Sequence, residues 1–257
     1  MTYTHGHHES VLRSHRWRTV ENSAAYLLPH LAPGLSLLDV GCGPGTITVD
    51  FARRLAPGRV VGIDAAADVI AQAEGAEFAT GDVYDLAFDD GTFDVVHAHQ
   101  VLQHLADPVA ALREMRRVCK LGGVVAVRDS DYGSFAWYPE IPALERWRAL
   151  YFRVAIANSG EPNAGRHLLA WAHEAGFTDV QATSSTWCFA TPEDRAWWGG
   201  TWADRVTDSA IAQQARAEGF ASEAELREIA DAWRAWAVDP DAWYSVQHGE
   251  VIARVSD

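Results

Sequence analysis

The sequence predicts an α/β protein: a doubly wound, mostly parallel sheet of seven strands with an N-terminal helical arm and a helical insertion before the last strand. Three observations lead there. Short apolar runs alternate with helical stretches between Leu35 and Arg128, which calls for parallel strands joined by crossover helices. Those runs lack strict apolar–polar alternation, as expected when both sheet faces are covered. The first run passes directly into a glycine turn that opens a helix.

The elements follow in order. Thr19 can cap a helix running through Ala24, Leu27 and Leu28 toward Pro33-Gly34. Leu35–Val40 is a buried-strand candidate, and Thr46–Leu55 is helical. Arg59–Ile63 predicts a strand, Ala66–Ala73 a helix, and Ala76–Thr80 and Phe93–Ala98 further strands. Asp107-Pro108 starts a helix, since Asp caps and Pro suits the first turn; Gly122-Gly123 is expected to stop it. Val124–Arg128 is the next strand. Beyond Asp131 the composition shifts, and ten of the eleven tryptophans lie there. Trp147, Leu150, Tyr151 and Val154 keep helical spacing; His167–Ala175 is a second helix, closed by Gly176. Val180–Phe189 and Trp243–Val255 read as the late strands. Between them, Pro192–Ala237 is mostly helical and includes the capping box Ser222-x-x-Glu225. The expected organisation is one domain: arm 1–34, ligand-binding core 35–130, and region 131–257 with its insertion at about 192–238.

Composition narrows the function. The chain has 257 residues, 48% hydrophobic and 22% charged, with a formal net charge of −14. That charge disfavours nucleic acid and anionic membranes as partners. Cys42, Cys119 and Cys188 form no CxxC pair, so reduced thiols and a cytoplasmic location are expected. The N-terminal stretch lacks the apolar run of a signal peptide, and nothing approaches the roughly 20 apolar residues of a membrane span.

The glycine turn is Asp39-Val40-Gly41-Cys42-Gly43-Pro44-Gly45-Thr46. Its glycines admit a ligand close to the backbone, and the helix start offers free N–H groups. Asp64 closes the second strand 21 residues after Gly43, where an acid can bind both ribose hydroxyls of a nucleoside. The dinucleotide pattern G-x-G-x-x-G/A fails, because Thr46 stands where glycine or alanine is needed. Pro44 donates no N–H and is poorly suited to a pyrophosphate.

These residues resemble motif I of class I S-adenosylmethionine-dependent methyltransferases, which share a Rossmann-like fold. The resemblance covers about residues 35–130 and is closest to the ubiquinone/menaquinone-biosynthesis methyltransferase-like branch. It implies S-adenosylmethionine as cofactor, held by Asp39, Gly41, Cys42, Gly43, Asp64 with its neighbour Ala65, Asp82, Val83 and Gln100. Asp82 would accept from the adenine amino group and Val83 would offer a backbone N–H. Methyl transfer needs positioning and exclusion of water more than acid–base power, and no metal. Histidines are the natural base candidates, as their pKa sits near neutrality. His99 and His104 lie at the family's active-site edge; His8 and His15 lie in an arm that folds over the cofactor in family members. His97-x-His99 with His104 lacks the carboxylate or cysteine spacing of a metal site. Asp131 and Tyr132, following the fifth strand, are acceptor-contact or loop-capping candidates. The tryptophans admit two readings, core packing or an aromatic acceptor pocket, with Trp197-Trp198-Gly199-Gly200 the most suggestive spot.

The expected function is methyl transfer to a small apolar or aromatic acceptor at O, N or C. The alternatives are a quinone-ring C-methyltransferase, a non-catalytic S-adenosylmethionine-binding protein and an NAD-dependent oxidoreductase.

Overall fold

A computed structural model describes residues 15–256. Their elements are α1 Val20–Ser23, β1 Leu37–Val40, α2 Thr46–Leu55, β2 Val60–Asp64, α3 Ala67–Ile70, β3 Glu77–Thr80, β4 Phe93–His99, α4 Pro108–Val118, β5 Cys119–Ser130 and β6 Ala136–Tyr138. There follow α5 Pro142–Ala157, α6 Ala164–Glu174, β7 Asp179–Phe189, α7 Pro192–Asp208, α8 Ala210–Ala217, α9 Glu223–Val238 and β8 Trp243–Arg254. The described residues fall into two compact units. A sheet unit holds His15–Ser130, Ala164–Ser185 and the chain from His248; an aromatic unit holds Asp131–Asn163 and Thr186–Gln247.

In the sheet unit the order is β3-β2-β1-β4-β5, all parallel, followed by β8 antiparallel to β5. β7 pairs with β8. Side chains of a strand alternate between faces, and here each face meets its own core. Leu38, Val40, Val61, Ile63, Val96 and Val125 pack with Leu112 and Met115 of α4 and Leu168 of α6. Leu37, Val60, Val95 and Val124 pack with Ile47, Phe51 and Leu55 of α2 and with Val20 of α1. Burial on both faces explains why the strand runs read as continuously apolar.

In the aromatic unit β6 pairs antiparallel with the start of β8. Helices α5, α7, α8 and α9 carry most of its core, including the fully buried Trp147, Trp202, Trp233 and Trp236. The capping box at α9 is formed as the sequence predicts: Ser222 accepts from Glu225 N–H at 3.2 Å, and Glu225 accepts from Ser222 N–H at 2.7 Å.

Four expectations need correction. The sheet has eight strands, not seven, because the three-residue β6 is too short for a periodic signal. The arm helix is capped by Thr19 as expected but ends at Ser23; a 3-10 turn, Ala25–His30, takes over. Pro29 lies in that turn and has no N–H for an α-helical bond. The helix at 66–73 shrinks to α3, whose N-cap, Ala66, has no side chain to offer. Gly122 and Gly123 do not stop α4, which ends at Val118 and runs directly into β5. They sit inside β5 near a register shift, where a Cβ on Gly123 would lie 2.7 Å from the Asp94 carbonyl oxygen.

Gly249 of β8 faces the Gly165 backbone of α6 so closely that a Cβ would overlap the Gly165 carbonyl. Both partners are backbone, so neither can yield by changing rotamer. Gly249→Ala should therefore lower stability by about 1–3 kcal/mol through overpacking, read as a shift in urea midpoint. An unshifted midpoint would show that α6 can move away freely.

Candidate functional site

The glycine turn is shaped by what surrounds it. Gly41 has φ +67°, and a Cβ there would collide with the Val101 side chain. Gly45 has φ +83° and serves as the N-cap of α2 without a side-chain bond. The α2 amides therefore start beside a turn in which every second residue lacks a side chain, the arrangement that welcomes a polar ligand.

Asp39 and Asp64 fix this turn from two sides. Asp39 is buried; its Oδ2 accepts from the Thr48 hydroxyl at 2.6 Å and its Oδ1 lies 2.8 Å from His97 Nδ1. A carboxylate only accepts, so His97 Nδ1 carries the proton and the ring ties β4 to β1. Asp64 Oδ2 accepts from Gly43 N–H at 2.9 Å, and its Oδ1 from Ala66 N–H at 2.9 Å. Ala65 lies between these partners in the chain. Burial, then the two neighbouring carboxylates, pushes the Cys42 thiol far above its ordinary value, so it stays protonated. After β3, Asp82 accepts from Tyr84 N–H at 3.0 Å and Val83 is buried.

Gln100 is held in a left-handed conformation, φ +55°, immediately after β4. Its N–H donates to the Arg128 carbonyl at 2.7 Å, and its side-chain Nε2 donates to Ser130 Oγ at 2.9 Å. His248 Nε2 lies 2.9 Å away, and Arg18 donates to the Gln100 side-chain oxygen. A non-glycine residue held so is a mark of a site whose surroundings over-determine it. Arg128 is buried between Glu250 at 3.1 Å and His248 Nδ1 at 3.0 Å; burial lowers its pKa to about 10 despite Glu250.

The base candidates are placed as follows. His8 lies outside the described residues. His15 packs on the glycine turn: its carbonyl accepts from Thr46 Oγ1 at 3.1 Å, and its Nδ1 faces Gly43. His99, at the end of β4, is buried, and burial holds its pKa well below the usual value. His104 is buried in the 3-10 turn Leu102–His104; burial and then Arg18 lower it to about 3. Both rings are therefore neutral at pH 7. Gln103 Nε2 donates to His104 Nε2 at 3.0 Å.

Sequence reasoning missed Arg18, Arg128, His248 and Glu250. Asp129, the penultimate residue of β5, is completely buried. Its Oδ1 accepts from Gln103 N–H at 3.0 Å, while its Oδ2 has no partner among the described residues. Among those residues, no group of three or more His, Cys, Asp or Glu side chains could hold a metal ion. No helix there is long and apolar enough to cross a membrane.

The turn and Gln100 follow, and Asp39 and Asp64 lie at, the C-terminal ends of parallel strands, where open α/β sheets bind ligands. Fold and site thus define a nucleoside-binding α/β protein. The comparisons carry this further. The family described as Methyltransferase domain matches residues 38–127. An uncharacterized methyltransferase of Schizosaccharomyces pombe is 35% identical over 269 positions, covering 97% of this chain and 95% of that protein. Demethylmenaquinone methyltransferase of Staphylococcus aureus is 32% identical over 136 positions, covering 50% of this chain and 54% of that protein. Among solved structures, a phosphoethanolamine N-methyltransferase 2 of Haemonchus contortus, complexed with phosphomonomethylethanolamine and S-adenosylhomocysteine, shares the fold. Its TM-score is 0.54 at 17% identity, covering 91% of this chain and 53% of that one. The chain belongs to the class I S-adenosylmethionine-dependent methyltransferases.

Asp129 should show in the pH dependence of stability. Burial raises its pKa to about 7. A group raised on folding contributes stability that is complete below its unfolded pKa and is lost as pH rises through its folded pKa. His104, lowered on folding, acts in the opposite sense: its contribution is complete above its unfolded pKa and fades as pH falls toward about 3. Comparing Asp129→Asn with the parent cancels the histidine contribution. The variant's stability relative to the parent should increase from about pH 4 to about pH 7 in urea unfolding. A difference that does not vary with pH would mean that Asp129 is ionised throughout.

Proposed function

We propose that the chain methylates a small apolar or aromatic acceptor in the cytoplasm. The observation that carries this reading is the pairing of a glycine-rich turn with Asp64, whose carboxylate is already held by Gly43 and Ala66 amides. S-adenosylmethionine, when bound, supplies a methyl group on a sulfonium that leaves readily.

In this reading Gly41, Cys42 and Gly43 let the methionine part approach the backbone, with Asp39 keeping the turn in shape. Asp64 and Ala65 receive the ribose. Asp82 and Val83 face the adenine. Gln100 orients the methionine end, and Arg18, bonded to Gln100, adds a positive charge suited to a carboxylate. His15, His99 and His104 remain the candidates on the acceptor side, with His8. The neutral His99 and His104 can accept a proton but, being buried, need the acceptor brought to them. Likeness to the demethylmenaquinone methyltransferase supports a quinone ring, methylated at carbon, as the second reading.

Two measurements test this. Calorimetry with S-adenosylmethionine, S-adenosylhomocysteine and NAD should show binding of the two sulfur nucleosides and not of NAD. Asp64→Ala should weaken S-adenosylhomocysteine binding by about 2–4 kcal/mol, through loss of charge-assisted bonds. Unchanged affinity in that variant would place the nucleoside elsewhere. Arg18→Ala should weaken the same binding more at low salt than at high salt, since its contribution is a charge interaction.

A further inference from the structure

The aromatic unit contains polar groups that its own packing does not satisfy. Trp147 Nε1, Trp198 Nε1, Trp233 Nε1, Thr201 Oγ1 and Tyr244 Oη are buried and have no hydrogen-bond partner among the described residues. The five residues are at most 6% exposed. They come from α5, α7, α9 and β8, yet they gather around one ring. Tyr244 lies 6.4 Å from Trp147, 5.8 Å from Trp198 and 5.4 Å from Trp233, centroid to centroid. Thr201 follows Trp198 by three residues on α7 and shares its helix face.

Such a group is unusual. Buried polar atoms are nearly always paired, and each exception asks for a reason. The cluster is able to satisfy an indole: Trp236 donates to the Tyr138 carbonyl at 3.0 Å. A threonine inside a helix commonly bonds back to the preceding turn, as Thr207 of the same helix does to Ala203 at 3.1 Å; Thr201 does not. The edge-to-face pairing of Trp147 with Trp233 allows a weak N–H···π contact. That accounts for neither hydroxyl.

The unmet groups share a polarity. An indole N–H only donates, and the two hydroxyls can donate. What they lack is acceptors. The rings offer flat apolar faces. Two guanidiniums lie over rings of the same unit, Arg148 above Trp137 at 4.8 Å and Arg205 above Trp202 at 4.6 Å, which shows that these ring faces attract polar groups.

We propose that this cluster is a binding site for a flat aromatic molecule bearing carbonyl or phenolate oxygens. Opening of the Tyr244 cluster admits the ring, and the Trp147, Trp198, Trp233, Thr201 and Tyr244 donors meet its oxygens. The binding does not depend on the methyltransferase reading.

The probe is 2-hydroxy-1,4-naphthoquinone, with naphthalene as a ring of the same area without oxygens. Titrated into the full chain, the quinone should quench tryptophan fluorescence saturably and bind at least about tenfold tighter than naphthalene, a difference of about 1.4 kcal/mol. Thr201→Val and Tyr244→Phe each remove one unmet hydroxyl with little change of shape. Each should weaken quinone binding about tenfold and leave naphthalene unaffected. Each should also raise Tm by about 2–4 °C, because an unpaired buried hydroxyl is lost. S-adenosylhomocysteine binding, measured on the same samples, should not change. Equal binding of the two probes, or unchanged quinone binding in both variants, overturns the proposal. So does a lowered Tm with unchanged binding, which would assign the hydroxyls to internal packing. Loss of nucleoside binding with quinone binding intact would instead count against the methyltransferase reading alone.

Discussion

The sheet unit depends on one buried carboxylate. Asp39 is buried near the end of β1, where an ionised group without partners would be very costly. Its two oxygens are met by Thr48 of α2 and His97 of β4. Three elements are thereby held at one point, and the glycine turn is the segment strung between two of them. Every second residue of the turn is a glycine, and Gly41, Gly43 and Gly45 all have positive φ. Its shape comes from Asp39 behind it and Asp64 beside it. The same glycines that make the turn accessible to a nucleoside make it reliant on these two acids.

Polarity next to the strand ends has a second consequence. Burial drives Asp129 upward and His99 and His104 downward, so acid and base alike are pushed toward their neutral forms. Arg128 and Glu250 pair at 3.1 Å, and Ser185, Thr183 and His248 complete their bonding. This sheet edge is therefore rich in hydrogen-bonding groups but poor in free charge. That suits transfer from a sulfonium, where geometry and dryness matter more than a strong base.

What the sequence disclosed follows distance along the chain. The caps at Thr19, Asp107 and Ser222 were legible because each acts within three residues. The glycine turn and Asp64 were legible because a strand–turn–helix–strand unit fixes their spacing. Arg18 meeting Gln100 spans 82 residues, and Gln100 meeting His248 spans 148. Those contacts depend on the arm's path and on the register that sets His248 opposite Ser130, and neither is written in any local pattern. The Gly122-Gly123 pair misled because glycine marks both helix ends and strand irregularities. Only the approach of the Asp94 carbonyl distinguishes the two.

The tryptophans show most clearly where sequence and packing part. Their helical spacing predicts a core, and Trp147, Trp202, Trp233 and Trp236 do form one. Hydrophobic burial alone would be served as well by leucine or phenylalanine, which bring no N–H to satisfy. Stability therefore does not explain why indoles and hydroxyls occupy positions where no acceptor reaches them. In the sheet unit, the buried guanidinium of Arg128 has been supplied with Glu250, Ser185 and His248; Thr201 and Tyr244 have no partner for their hydroxyls among the described residues. Departures from local consistency of this kind concentrate where a protein serves something other than its own folding.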